Sequence, residues 1–233
     1  MAFFVLGSMQ QVRIGIVGDF NFTYNTHHAT NLALDHAGRF LEVEVSYYWL
    51  KIAEVLSMKT NQLAAFDGFW LAPGPYLNMF YLNGVIDHLI LQKAPVFITG
   101  EGFKSFMDVL IQRNQLNAGG EKLISENLVE GNHFERLHII PYSSAMIQLY
   151  ATRSNEELTA TRYSMYPQLI DALVNAELDI EAHNQFEEPE IVSMKNKGFF
   201  VACGFCPQIT STRDLPHPLV YTFIKACMIE SVE

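Results

Sequence analysis

The sequence predicts an α/β domain built on a mostly parallel sheet, with a smaller antiparallel β part in its second half. Two observations carry this. Short β-branched runs such as "VRIGIVG" (12–18) and "PVFITG" (95–100) alternate with segments of helical spacing across the first 114 residues. Three of the runs end in glycine turns: Gly18-Asp19, Pro73-Gly74-Pro75 and Gly100-Glu101-Gly102. Strand–helix alternation implies right-handed crossovers and a parallel sheet covered on both faces. Ligands of such sheets sit beyond the carboxyl ends of the strands, where these turns fall.

The elements follow in order. Residues 12–18 read as a buried strand. Residues 26–40 have helical spacing, with Ala29, Leu32, Ala33, His36 and Ala37 on one face. "LEVEVSYYWL" (41–50) alternates as a second strand, and "FDGFWLAPG" (66–74) is a third. A helix is predicted over 83–93, a strand over 94–102 and a helix over 103–114. Short strands are predicted around "RLHIIPYSSAMIQLYATR", then a helix near 167–177. "EPEIVSMKNKGFFVACGF" reads as a hairpin turning at Asn196-Lys197-Gly198. A last helix runs from Pro218 to about Glu230. A single domain over 11–233 is expected, with 1–10 an extension of tag-like character.

Composition narrows the function. The 233 residues are 49% hydrophobic and carry a formal net charge of −10. Fifteen Lys and Arg are scattered without a basic run, so neither a nucleic-acid groove nor an anionic membrane surface is expected as a partner. No apolar run is long enough to span a bilayer. Three cysteines are too few for a disulfide framework, which fits a reducing, cytoplasmic setting. No phosphate-binding G-x-x-x-x-G-K-[ST] is present, and no cofactor is expected.

Two motifs raise chemistry. "FITGEGFKS" is a strand-to-helix turn whose apex, Gly100 or Glu101, can present a side chain as nucleophile elbows do. The plainer reading is a βα turn in which the helix dipole favours Glu101. "FFVACGFCPQ" holds Cys203 and Cys206 in a C-x-x-C. A redox pair opens a helix, and a zinc site needs a second ligand pair. Here Cys203 lies within a strand, and His27, His28, His133, His138 and His217 form no ligand pattern.

Taken in order, five segments resemble the class I glutamine amidotransferase domain of CTP synthase and small stand-alone proteins related to its C-terminal region. They are "VRIGIVGDF", "FDGFWLAPG", "PVFITGEGFKSFMDVLIQ", "GFFVACGFCPQITS" and "HPLVYTFIKAC". The resemblance implies a three-layer α/β/α, flavodoxin-like fold. In that family a Cys nucleophile sits at the elbow and a His–Glu pair in an F-H-P-E segment. Those positions here are Gly100, Cys206 and Gln208, so the triad is vacant. One oxyanion donor falls on Pro75, which has no N–H, and the other on the N–H of Glu101. Substrate-holding positions fall on Glu121 and Arg162, while the family's glutamine beyond the elbow is Lys104. The resemblance thus implies a degenerate glutaminase-like protein that binds an amino-acid-like or carboxylate ligand. It also implies a protein partner of synthetase type or a homodimer. An alternative is altered chemistry in which Glu101 is a general base and Cys206, near Lys104, a nucleophile or redox thiol.

Overall fold

The structure is a computed structural model, and it describes residues 9–76, 78–117, 119–127 and 134–230. Most of the expected N-terminal extension (1–8), His133 and residues 231–233 lie outside the described residues.

The first half lays down β1 (Gln11–Val17), α1 (Asn25–Leu41), β2 (Glu44–Leu50), α2 (Ile52–Ser57) and α3 (Thr60–Leu63). It continues with β3 (Gly68–Leu71), α4 (Met79–Leu91), β4 (Val96–Thr99) and α5 (Glu101–Arg113). The second half adds β5 (Ile124–Asn127), β6 (Glu135–His138), β7 (Ile140–Pro141), α6 (Ser144–Tyr150), β8 (Glu156–Thr159) and β9 (Arg162–Met165). It closes with α7 (Pro167–Ala176), β10 (Leu178–His183), β11 (Pro189–Met194), β12 (Phe200–Cys203) and α8 (Pro218–Glu230).

The main sheet has the order β2-β1-β3-β4-β12-β11-β10-β7. Its first five strands are parallel and its last three antiparallel. The pairs β5–β9 and β6–β8 form two small antiparallel sheets. This is the α/β architecture that the sequence predicts, with the antiparallel part in the second half.

Side chains alternate across each strand, and that period of two builds two cores. Phe69, Leu71, Val96, Ile98, Phe200 and Ala202 face the layer that holds α4, α5 and α7. Trp70, Phe97, Val201 and Cys203 face the opposite layer, with α1, α6 and α8. Four consecutive buried residues in β3 and in β4 reflect helices on both faces.

Several boundaries differ from expectation, each for a local reason. The strand expected over 94–102 stops at Thr99, because Gly100 (φ 60, ψ −129) turns the chain and α5 starts at Glu101. Helix α4 begins four residues earlier than expected, since the Asn78 side chain caps the Tyr81 N–H. A helix, α6, replaces one of the short strands expected between 136 and 153, started by Ser143 accepting from the Met146 N–H. In α1 the buried stripe is His27, Thr30, Ala33, Leu34, Ala37 and Gly38. Leu32, expected on that face, is 54% exposed. Short apolar runs mark an element's existence better than its ends or its phase.

At Gly68 an added Cβ would lie 2.3 Å from the Cys227 Sγ and 3.1 Å from Phe223, where α8 crosses β3. We expect Gly68→Ala to lower stability by about 1–3 kcal/mol, the range for overpacking a close contact. Urea unfolding measures it, and an unchanged midpoint would refute this account of the α8 contact.

Candidate functional site

The parallel pairing of β4 with β12 sets Thr99 opposite Cys203, so the turn after β4 and the loop after β12 share one end of the sheet. The Gly100 N–H is shared between the carbonyls of Cys203 and Phe205, each at 3.1 Å. Glycine is needed there, since its φ lies in the positive region that other residues rarely adopt. Space adds a second constraint. A Cβ on Gly100 would stand 2.9 Å from the Pro73 carbonyl oxygen and 3.0 Å from the Pro73 Cβ.

The two oxyanion-type positions are both without a free donor. Pro75 has no N–H. The Glu101 N–H donates to the Pro73 carbonyl at 3.0 Å. The Glu101 carboxyl lies over Gly74, where an added Cβ would meet its Oε2 at 2.6 Å. Burial, then the charge of Glu126, pushes that carboxyl above its usual range.

Cys206 is 3% exposed. Burial, with Glu101 and Glu157 nearby, pushes its thiol up to about 12. Lys104, the cation that would have to lower it, is bonded to Asp108 at 2.6 Å. The thiol is therefore protonated at neutral pH and is a poor nucleophile. Cys203 is buried as well, and both cysteines are free. Among the described residues no group of three or more His, Cys, Asp or Glu could hold a metal ion. Gln208 is 2% exposed, and its Oε1 and Nε2 find no hydrogen-bond partner among the described residues.

Strand alternation separates Arg162 from Tyr163. Tyr163 lies within electrostatic reach of Glu101, at the elbow, of Glu126 on β5 and of Cys206. Arg162 instead contacts Glu135 at 3.2 Å and Glu188 at 3.8 Å, with its guanidinium 4.2 Å from the centre of the Phe186 ring. Glu121 is exposed and lines, with Lys104, Asp108 and Lys122, a cleft of about 870 Å³ along α5.

Sequence reading missed the groups that hold the site in place. His27 is 1% exposed; its Nδ1 accepts from the Asn21 N–H at 3.0 Å and its Nε2 meets the Gly74 carbonyl at 3.1 Å. It joins the loop after β1 to the loop after β3. Under the loop after β12 lies a second network, centred on Glu157. His217 Nε2 meets Glu157 at 2.8 Å, Thr210 Oγ1 donates to it at 2.9 Å and Tyr150 O–H at 3.2 Å, and Arg153 lies 3.4 Å away. The His217 Nδ1 accepts from the Leu219 N–H, so the proton sits on Nε2 and faces the carboxylate. Burial lowers the pKa of His217. Burial alone would raise Glu157, but His217, Arg153 and Thr210 hold it below its usual value. A lone His and a lone Glu sixty residues apart give no spacing signal in the sequence.

No protein-family model matches the chain. It is 23% identical over 260 aligned residues to a CTP synthase of Helicobacter pylori, covering 97% of this chain and 47% of that protein. The chain thus spans about half the length of that relative. Its fold matches the glutaminase domain of Trypanosoma brucei CTP synthase, solved with bound acivicin, with a TM-score of 0.72, 20% identity and 93% of each chain covered. A protein of GMP synthase type from Thermoplasma acidophilum aligns with a TM-score of 0.57 and 13% identity, over 95% of this chain and 96% of that one.

Two expectations follow from the buried groups. The three thiols should resist a disulfide reagent at pH 8 in the native protein and react only in urea; fast native labelling of Cys206 would contradict its burial. Glu190 is 4% exposed and burial pushes it up to about 8 from an ordinary 4.5. The folded state holds that proton more tightly than the unfolded one, so stability is lost as pH rises from 4.5 through 8. Glu190→Gln should raise the urea midpoint relative to the parent protein at pH 8 and give no gain at pH 4. Equal effects at both pH values would show that the carboxyl is not so shifted. With the strand order and these alignments together, the chain has the fold of the glutaminase domain of CTP synthase and is similar along its length to part of a CTP synthase.

Proposed function

We propose that this protein is a catalytically degenerate glutaminase-like domain, which binds an amino-acid-like ligand or a protein partner without hydrolysing glutamine. The observation that carries it is Gly100, at the elbow, with the Pro73 carbonyl 2.9 Å from where a nucleophile's Cβ would stand. A thioester route needs a thiol at that point, a base beside it and two N–H donors for the oxyanion. Here the first position is glycine, the second is a protonated thiol, and the Glu101 N–H is committed to Pro73.

The ligand part rests on the cleft along α5. It carries Lys104 and Lys122 against Asp108 and Glu121, a balance of signs that suits a zwitterion. Glu121 would meet the ammonium. Arg162 is held by two carboxylates, which leaves the ligand carboxylate to a lysine of this cleft. A protein partner of synthetase type, or a second copy, is the other half of the proposal. It is supported by the likeness of the fold to the glutaminase domain of a CTP synthase. The same likeness supports work in the cytoplasm, beside pyrimidine synthesis.

The test is glutamate release from glutamine. We expect none above the blank from the parent protein. We expect none from the variant Gly100→Cys/Cys206→His/Gln208→Glu either, because Pro73 and Pro75 still close the oxyanion positions. Turnover by the parent protein would overturn the proposal. Titration calorimetry with glutamine and glutamate should show binding that Glu121→Ala weakens. No heat at millimolar amino acid would remove the small-ligand half.

A further inference from the structure

The crevice between the ends of β1 and β3 is a second place where ligands bind in open α/β sheets. From β1 the chain crosses to β2 on one side and returns to β3 on the other, so the connections diverge there. At this point Asp19, Phe20, Asn21, Phe22, Tyr24 and Pro75 line a pocket of about 280 Å³. None of the residues that line the cleft along α5 belongs to it.

The pocket is built from a fixed loop. The Asn21 side chain accepts from the Thr23 N–H at 2.9 Å and the Thr23 hydroxyl at 2.7 Å. His28 Nε2 meets the Phe22 carbonyl at 2.8 Å. His27 joins Asn21 to Gly74, and so joins the two walls. Phe20 packs edge-on to Trp49 at 4.9 Å and to His28 at 5.5 Å. Yet Phe22 remains 78% exposed, Phe20 42% and Tyr24 36%. Three partly or largely exposed aromatic residues thus line the pocket beside Asp19, a carboxylate with no hydrogen bond or ion pair among the described residues.

We propose that this pocket binds a small quaternary or highly alkylated ammonium compound. Aromatic faces attract cations through their quadrupole, and a neighbouring carboxylate adds a full charge. The chain's net charge of −10 concentrates cations at its surface. A phosphate or carboxylate ligand would meet Asp19 with no cation in the pocket to receive it. A primary ammonium brings three N–H donors that need acceptors, and the Asn21 Oδ1 is already engaged by Thr23. An alkylated ammonium has few or none to satisfy. A bare metal ion would find a single carboxylate.

The experiment is calorimetry with choline and with 3,3-dimethylbutan-1-ol, its neutral isostere, with Trp49 fluorescence as a second signal. Choline should bind saturably in the millimolar range and at least about tenfold more tightly than the isostere. Phe22→Ala and Asp19→Asn, both at exposed side chains, should each weaken choline about fivefold while circular dichroism stays unchanged. No saturable choline signal up to about 50 mM, where such affinities would show, overturns the proposal. Equal binding of the isostere, or affinity untouched by both variants, overturns it too. Glutamine turnover has no bearing on these outcomes, so this proposal and the previous one stand or fall separately.

Discussion

The turn at Gly100 is the constraint on which the site depends. Its backbone reverses the chain within one residue, from the end of β4 into α5. That reversal requires a positive φ, and the close approach of Pro73 leaves no room for a side chain. The same approach draws the Glu101 N–H onto the Pro73 carbonyl and anchors the loop after β3. The Gly100 N–H in turn holds the carbonyls of Cys203 and Phe205. One tight turn thus joins three strand ends.

Around this turn the buried polar groups act as supports for the loops. Glu157, His217, Arg153, Thr210 and Tyr150 form a buried network beneath the loop that carries Cys206 and Gln208. Removing Arg153 would leave the buried Glu157 carboxylate without its cation, and breaking such a pair typically costs about 3–5 kcal/mol. His27 does the same work on the other side, using both ring nitrogens on backbone groups. Burial disfavours the charged form of each histidine and lowers its pKa. Gln208 stands apart from both, a buried amide with neither end bonded among the described residues. Such groups are rare in folded proteins, and an amide in that state is a natural site for an ordered water.

Much of the fold was legible because periodicity survives in a single chain. The β-branched runs at 12–18 and 95–99 became buried strands, and the Asn196-Lys197-Gly198 turn joins β11 to β12 as expected. Helix phase was less legible. The stripe through Leu32 looked apolar, yet α1 buries His27, Thr30 and Gly38 instead. Contact with β2 and α8 sets that choice, and neither is visible in the helix's own spacing. Helix α6 was missed because its Ser143 cap stands within residues that also suit strands. At the site, Gly100, Cys206 and Gln208 could be picked out from motif order, and the structure sets the turn after β4 beside the loop after β12. The engagement of Arg162 by Glu135 and Glu188 could not, since its partners lie 27 and 26 residues away, one on β6 and one in the turn before β11.

The sequence by itself determined the α/β class, the glycine at the turn after β4 and the proline at position 75. Those are properties of residue type and local order. Only the tertiary structure decided that Cys206 is buried and protonated, that the Glu101 N–H is already engaged, and that His27 and Glu157 are the struts of the site. A pKa depends on burial and on charges from distant segments, and a hydrogen bond depends on angles and on distances below about 3.5 Å. Both are set when β4 meets β12 and the loops after β1 and β3 close on each other, and no local stretch of chain records that meeting.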